Sequence, residues 1–230
     1  MTASIVLHHL ENSRSQRVLW LLEELGLPYE VRRYARDRKT QLAPPELRAI
    51  HPLGKAPVLT DGPLVLAESG AIVEYLIDTY DNAGRLRPPP GTEDRRRYNY
   101  WLHFAEGSVM PQLLLKLVFD KVRKAPVPFF VKPVVRGIAD KVTSGFVMPN
   151  VERQLAFMEG ELAARDWFAG SAFSGADIQM SFPLEAAQAR AGLDARYPKL
   201  GAWLKRIHAR PAYQRALEAG GPYEIVKAAA

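Results

Sequence analysis

The order of its apolar signals predicts a two-part chain, with an α/β unit over residues 1–81 and an all-helical domain over 93–230. Three observations carry that reading. Strand-like and helix-like spacings alternate through the first 80 residues. The stretch "DNAGRLRPPPGTED", 81–94, then interrupts both patterns with two glycines and three consecutive prolines, which makes 82–92 a linker. Beyond it the sequence offers helical spacing and no convincing strand.

In the first unit, "SIVLHH" reads as a short strand. From Ser15, the residues Val18, Leu21, Leu22 and Leu25 follow the spacing of one helix face, and Gly26 stops it. "YEVRRY" alternates as a second strand, and "PPELRAI" is a short helix entered through prolines. "PVLTDGPLVLAES" gives two strand pieces around Asp61-Gly62, a hairpin signal. Ile72, Tyr75 and Leu76 mark a helix running to about Tyr80, so the order is β-α-β-α-β-β-α. In the second unit helices are predicted over 93–124, 133–144, 151–164, 176–191 and 199–209, the first of them kinked at Pro111.

Composition narrows the function classes. Apolar residues make up 47% and charged residues 24%, the balance of an ordinary globular protein. No apolar run reaches the ~20 residues of a membrane span, and the N-terminus does not read as a secretory signal, so a cytoplasmic protein without a membrane role is expected. Cysteine is absent, which removes disulfides, thiolate metal sites and a cysteine nucleophile. The net charge of +6 comes with basic clusters at Arg32-Arg33, 36–39 and 95–97. No nucleic-acid motif accompanies them, so they read as solvated surface, or as a local field favouring an anionic small molecule.

Three short stretches carry candidate chemistry. In "LHHLENSRSQRVLW" a polar knot, 11–15, stands between the first strand and first helix; Ser15 is the expected helix N-cap. In "HPLGKAPVL" a proline opens a strand; a cis Ala56-Pro57 bond would leave the Ala56 N–H and C=O pointing outward, where a peptide-like ligand could add as an antiparallel strand. In "LAESGAIVEYL", Ser69 can cap a helix whose first-turn N–H groups suit a carboxylate, while Glu68 could hold an ammonium beside it. Together these describe an amino-acid head group, although capping alone also accounts for the serine.

The combination of a strand, a serine-bearing turn and a helix, then Gly54-Lys55-Ala56-Pro57, Asp61-Gly62 and Glu68-Ser69, then a linker and a helical domain, resembles the cytosolic glutathione transferases, serine-type, over nearly the whole chain. "FSGADIQMSFPLE" adds Ser174 and Asp177, which match the family's buried capping box and have a role in folding. The resemblance implies an α/β thioredoxin-like N-terminal domain that binds glutathione, plus an all-α C-terminal domain that supplies most of an apolar electrophile pocket. It implies glutathione as co-substrate, no metal, and a homodimer. Carried over by motif, Ala56 would pair its backbone with the cysteinyl unit, with Pro57 beside it in the glutathione-binding set; Glu68 and Ser69 would take the γ-glutamyl end, and Lys55 would lie near the peptide. Leu42 and Ala43 stand where many relatives carry contacts to the glycyl carboxylate, so Arg36, Arg38 or Lys39 would have to substitute.

For the sulfur, the resemblance points to the hydroxyl four residues before Arg17, which is Ser13. A free thiol, with pKa about 8.5, is only a few per cent ionised at neutral pH, and lowering that pKa by two units is worth roughly 2.7 kcal/mol. A hydroxyl donor and the positive end of a helix can supply this, so Ser13 would donate to a bound thiolate. Asn12 is the alternative donor, and Arg14 could add charge. No tyrosine precedes Tyr29, which argues against a tyrosine in that role. His8-His9 and His51 read as structural, and His103 with Glu106 as an exposed pair on one helix face. Tyr100, His103, Phe104 and Met110, on the helix after the linker, are candidates for the electrophile pocket, although packing explains the aromatic spacing equally well. The resemblance implies an enzyme that conjugates glutathione to small hydrophobic electrophiles; the alternatives are glutathione-dependent disulfide or peroxide reduction and a non-catalytic binding module.

Overall fold

The computed structural model describes residues 5–37 and 39–227. Four strands, β1 (Ile5–Leu10), β2 (Tyr29–Tyr34), β3 (Val58–Asp61) and β4 (Leu64–Ala67), form one sheet in the order β2-β1-β3-β4. β1 is parallel to β2, with Ile5 opposite Tyr29, and antiparallel to β3, with Leu7 opposite Leu59. Because β1 is central and covered on both faces, all six of its residues are buried, and its sequence shows an apolar run where an edge strand would alternate. The β3–β4 connection is Gly62-Pro63, one residue later than the sequence reading placed it, and Gly62 takes the positive φ of 57° that this tight turn requires. Asp61, at the end of β3, accepts from the hydroxyls of Tyr75 and Tyr80 and so ties the hairpin to the helix that follows.

Helices α1 (Ser15–Leu25), α2 (Pro45–Ile50) and α3 (Ser69–Tyr80) complete the thioredoxin-like unit. Every α1 residue from Ser15 to Leu22 is buried, polar ones included, because the helix lies between the sheet and the second domain. Segment 82–92 contains neither helix nor strand. It is nonetheless fixed at Leu86, whose N–H donates to Asp81 Oδ2 (2.7 Å) and whose carbonyl accepts from Gly175 N–H (2.8 Å).

The second domain is helical: α4 (Glu93–Phe104), α5 (Met110–Arg123), α6 (Lys132–Val142), α7 (Met148–Ala164), α8 (Gly175–Arg190), α9 (Pro198–His208), α10 (Pro211–Gly220) and α11 (Glu224–Lys227). A five-residue π-turn, Ala105–Val109, joins α4 to α5, and another, Thr143–Val147, joins α6 to α7. Each ends two residues before a proline, Pro111 or Pro149. Proline has no N–H to give and its ring crowds the carbonyl four residues back, so a wider turn that moves the bonding to the fifth residue accommodates it. Met110 N–H accordingly bonds the carbonyl of Ala105. This replaces the kink expected at Pro111, and it carries α6 straight into α7 across the break predicted at 144–151.

Ser174 and Asp177 form a reciprocal capping box at the start of α8. The Asp177 carboxylate, fully buried, also accepts from Phe168 N–H (3.1 Å) and Trp203 Nε1 (3.2 Å). Burial pushes its pKa up to about 6, against the pull of these donors. The sequence reading did not include α10, although Pro211 at its start, Gly221 after its end and Tyr213, Ala216 and Gly220 on one face are all helix signals. Its Tyr213 ring meets Trp20 of α1 edge-on at 5.2 Å.

Candidate active site

The polar knot that follows β1 is built in two layers. Asn12 holds a left-handed φ of 50°, a conformation that asparagine tolerates better than most residues, and it lines an interdomain cleft of about 540 Å³. Its Oδ1 accepts the Glu224 N–H at 2.8 Å, which turns the amide Nδ2 the other way; that nitrogen has no partner among the described residues. Behind it Ser13 is buried, its Oγ 2.7 Å from Ser15 Oγ and accepting Ser15 N–H at 3.2 Å. Ser15 Oγ in turn lies 2.9 Å from His9 Nδ1 and 3.3 Å from the Leu10 carbonyl. Burial, with Arg33 adding to it, pushes His9 down to about 4, so this imidazole is neutral at pH 7. Ser15 is therefore not the N-cap that the sequence suggested. It is the first residue of α1 and Arg14 occupies the cap position; the Ser13 hydroxyl, bonded to that of Ser15, is the one that accepts the first helical N–H.

The next layer joins the domains. Glu106, in the first π-turn, receives Arg14 Nε at 2.9 Å and Arg17 Nη1 at 2.5 Å. Arg17 is completely buried, and its Nη1 also donates to Ser69 Oγ at 3.1 Å. Phe182 of α8 lies under both guanidinium groups, 5.4 Å from Arg14 and 5.3 Å from Arg17. Burial raises the pKa of Glu106, but the two arginines outweigh it and hold the carboxyl below its ordinary value. The expected exposed pair of His103 with Glu106 is thus corrected. Glu106 turns inward to arginines 89 and 92 positions away, while His103 remains exposed.

Ser69 does not cap α3, as the sequence suggested; it is the first helical residue, and the exposed Glu68 precedes it at a positive φ of 71°. Its Oγ accepts from Arg17 and from Gln179 Nε2 (3.2 Å) of α8. With donors on both lone pairs, the Ser69 hydroxyl proton has to point elsewhere, which leaves it available to an anion at the N-terminus of α3. Nearby, the Ala56-Pro57 bond is cis, and the Ala56 backbone makes no hydrogen bond among the described residues. Lys55 is exposed and Pro57 buried.

Of the cations considered for a carboxylate at the other end, Arg36 lines the cleft, its guanidinium donating to the carbonyls of Gln41 (3.0 Å) and Glu11 (3.3 Å). Lys39 is exposed, and Arg38 lies outside the described residues. Leu42 is exposed as well.

The four pocket candidates separate. Met110 lines the cleft with Leu113, Leu114, Leu117 and Phe182. Tyr100 and Phe104 do not; they stack on each other at 5.4 Å and pack against Phe157 of α7. His103 is not among the lining residues either. The sequence reading missed the cleft's contributions from α8 and α11. Buried Glu185 of α8 accepts from Tyr213 (2.6 Å) and Tyr223 (2.7 Å), which anchors the chain just before Glu224 and Ile225, two further lining residues. The i, i+4, i+8 spacing of Phe182, Ala186 and Arg190 was the available signal for α8. Among the described residues no group of three or more His, Cys, Asp or Glu could hold a metal ion, and no helix is long and apolar enough to cross a membrane.

Comparison with known proteins gives a consistent result. Residues 3–78 match the family model described as Glutathione S-transferase, N-terminal domain, and residues 138–211 match the C-terminal domain model. Glutathione S-transferase 1 of Saccharomyces cerevisiae is 36% identical over 222 residues, covering 93% of this chain and 94% of the yeast protein. A crystal structure of a glutathione S-transferase from Actinobacillus pleuropneumoniae superposes with a TM-score of 0.79 at 36% identity, covering 96% and 95% of the two chains. A glutathione transferase family member from Pseudomonas fluorescens, solved with two glutathione molecules bound, gives 0.71 at 29% identity, covering 94% and 93%.

Proposed function

Because the chain belongs to the glutathione S-transferase family, we propose that it binds glutathione along the Ala56 edge and adds the thiolate to the electrophilic carbon of a small hydrophobic molecule. The observation that carries this reading is the cleft itself: Asn12, whose Nδ2 has no partner among the described residues, lines a cavity with an apolar wall formed by Met110, Leu113, Leu117 and Phe182. In this reading the γ-glutamyl carboxylate takes the Ser69 hydroxyl and the first-turn N–H groups of α3. Glu68 faces the ammonium, Ala56 pairs with the cysteinyl backbone, Lys55 lies alongside the peptide, and Arg36 supplies the cation for the glycyl carboxylate. Asn12 Nδ2 donates to the sulfur, aided by the N-terminal end of α1, and together they keep it ionised. Ser13 holds the turn from behind. The thiolate then attacks carbon, expelling a leaving group or moving a π pair onto the acceptor, and rate comes from ionisation and from holding the reactants together.

Calorimetry with glutathione, followed by assays with an aryl halide, a mixed disulfide and a hydroperoxide, tests this. Saturable binding with aryl-halide turnover is expected. No glutathione binding would leave a fold without the family's chemistry. Glutathione-dependent reduction of disulfides or peroxides is the second reading. Two features support it: an amide donor to sulfur, and the pair of glutathione molecules in the Pseudomonas fluorescens relative. Turnover of the disulfide or the peroxide without the halide would establish it in place of conjugation.

Gln179 gives a sharper check on the glutathione site. Gln179→Leu removes one of the two donors that orient Ser69. It is expected to raise the KM for glutathione about tenfold, the scale of one buried hydrogen bond, with kcat changing much less. Equal losses in both constants would show that Gln179 acts on the chemical step.

The subunits are expected to pair through the exposed aromatic face of α4 and α7, where Tyr100 (48% exposed) and Phe157 (42%) lie together. Light scattering should give twice the chain mass of 25.7 kDa.

A further inference from the structure

The cleft has a direction. Its near end is the opening turn, where Arg14 is bound to Glu106 and lies over Phe182. From there Met110, Leu113, Leu114, Leu117 and Lys121 follow one stripe of α5, and Phe182, Ala186 and Arg190 follow one stripe of α8. The two helices run the same way, since the start of α8 meets Tyr98 of α4 and its middle meets the Arg14–Glu106 pair. At 1.5 Å per residue, the α5 stripe from 110 to 121 is about 16 Å long, and the α8 stripe from 182 to 190 about 12 Å. Both stripes are apolar near the sulfur site and end in a cation.

Those two cations are unlike the other charges that line the cleft. Arg14 is neutralised by Glu106, and Lys116 by Asp120 at 2.6 Å. Arg36 is held by two carbonyls. Lys121 and Arg190 have no hydrogen-bond or ion-pair partner among the described residues. A basic residue in a last helical turn is favoured by the helix dipole, which accounts for one cation on each helix. It does not account for two unpaired ones lining the same cleft beyond its apolar wall, while the acidic lining residues Glu11 and Glu224 sit beside Asn12 at the near end.

We propose that the electrophile this cleft selects is an elongated amphipath whose reactive carbon meets the sulfur near Asn12 and whose far end carries a carboxylate held by Lys121 and Arg190. The inference rests on the conjugation reading and adds the substrate class. A 2-alkenal with a terminal carboxylate about ten bonds away fits the apolar length. The glutathione sulfur bonds to the β-carbon, the π pair moves to the carbonyl oxygen as an enolate, and the α-carbon takes a proton from water. Nothing is oxidised or reduced.

The test compares this acid with its methyl ester in the full chain and in the Lys121→Gln, Arg190→Gln double variant. Both side chains are exposed, so the exchange does not threaten folding. In the unmodified protein kcat/KM for the acid should exceed that for the ester by roughly tenfold, the scale of two partly exposed ion pairs. The ratio should fall toward one in the double variant, and toward one in about 0.5 M salt, where screening shortens to a few ångströms. A Lys121→Glu, Arg190→Glu double variant should invert it. Turnover of both compounds with a ratio near one in the unmodified protein, or a ratio the double variant leaves intact, overturns this inference and leaves conjugation standing. Failure to conjugate the acid, the ester and an aryl halide overturns both.

Discussion

Replacing Glu106 with alanine is expected to destabilise the protein by about 3 kcal/mol and to weaken glutathione binding in the fraction that remains folded. The reason is Arg17. Its side chain is fully buried, and Glu106 is its one carboxylate partner among the described residues. Removing one member of a buried pair leaves the other as an uncompensated charge, an effect of about 3–5 kcal/mol; the partial exposure of Glu106 places the estimate at the lower end. The loss reaches Ser69 as well, because Arg17 Nη1 bonds both groups and a guanidinium released from one will reorient at the other. The comparison with Glu106→Gln has a definite pH dependence. The folded carboxyl titrates below its ordinary value, so the advantage of the native residue is fully present above about pH 4.5 and shrinks as the pH falls through the lowered pKa. Thermal melts of both proteins from pH 3 to 7 measure this. A constant difference across that range would show that the pair contributes through packing and not through charge.

The second large effect separates the two candidates for the sulfur. Asn12→Ala is expected to lower kcat/KM at neutral pH by about a hundredfold, the scale of losing one donor to a developing or bound anion. It should also move the acid limb of the pH–rate profile upward by about one unit, since the thiolate loses a hydrogen bond worth roughly 1.4 kcal/mol. Ser13→Ala is expected to have a smaller effect on rate, expressed mainly as lost stability, because the Ser13 Oγ accepts Ser15 N–H and meets the Ser15 hydroxyl inside the fold. The reverse result, with Ser13→Ala shifting the profile and Asn12→Ala leaving it in place, would return the role to the serine that the family resemblance indicated.

That choice shows where sequence reading stops. The β-α-β-α-β-β-α order, the hairpin near Gly62 and the capping box at Ser174 and Asp177 were legible because each depends on residues within a few positions of one another. Which atom of the knot at 11–15 faces the cleft depends on Glu224, more than two hundred residues away, whose N–H turns the Asn12 amide. Glu106 shows the same limit. Its helical spacing with His103 suggests an outward pair, and only the π-turn, a change in backbone period, directs it to Arg14 and Arg17. Tyr100 and Phe104 were named as pocket candidates because their helix follows the linker, but which side of that helix borders the cleft is set by its packing, and they meet Phe157 of α7 instead. No local pattern records that. The missed α10 differs from these, since its signals were local and present.

The enclosure of α1 from Ser15 to Leu22 bears on how the molecule comes apart. With Gln16 and Arg17 buried beside Leu19 and Trp20, the helix has no solvent-facing side over Ser15–Leu22. One continuous apolar interior runs from Ile5 through Trp20 and Trp203 to Ile225, so the two units drawn along the chain share a single centre. Separated, the amino-terminal unit would expose to water the face of that helix that packs on α8 and α10. The two units are therefore expected to melt in a single cooperative transition, which calorimetry would show as one peak; two separate transitions would contradict it.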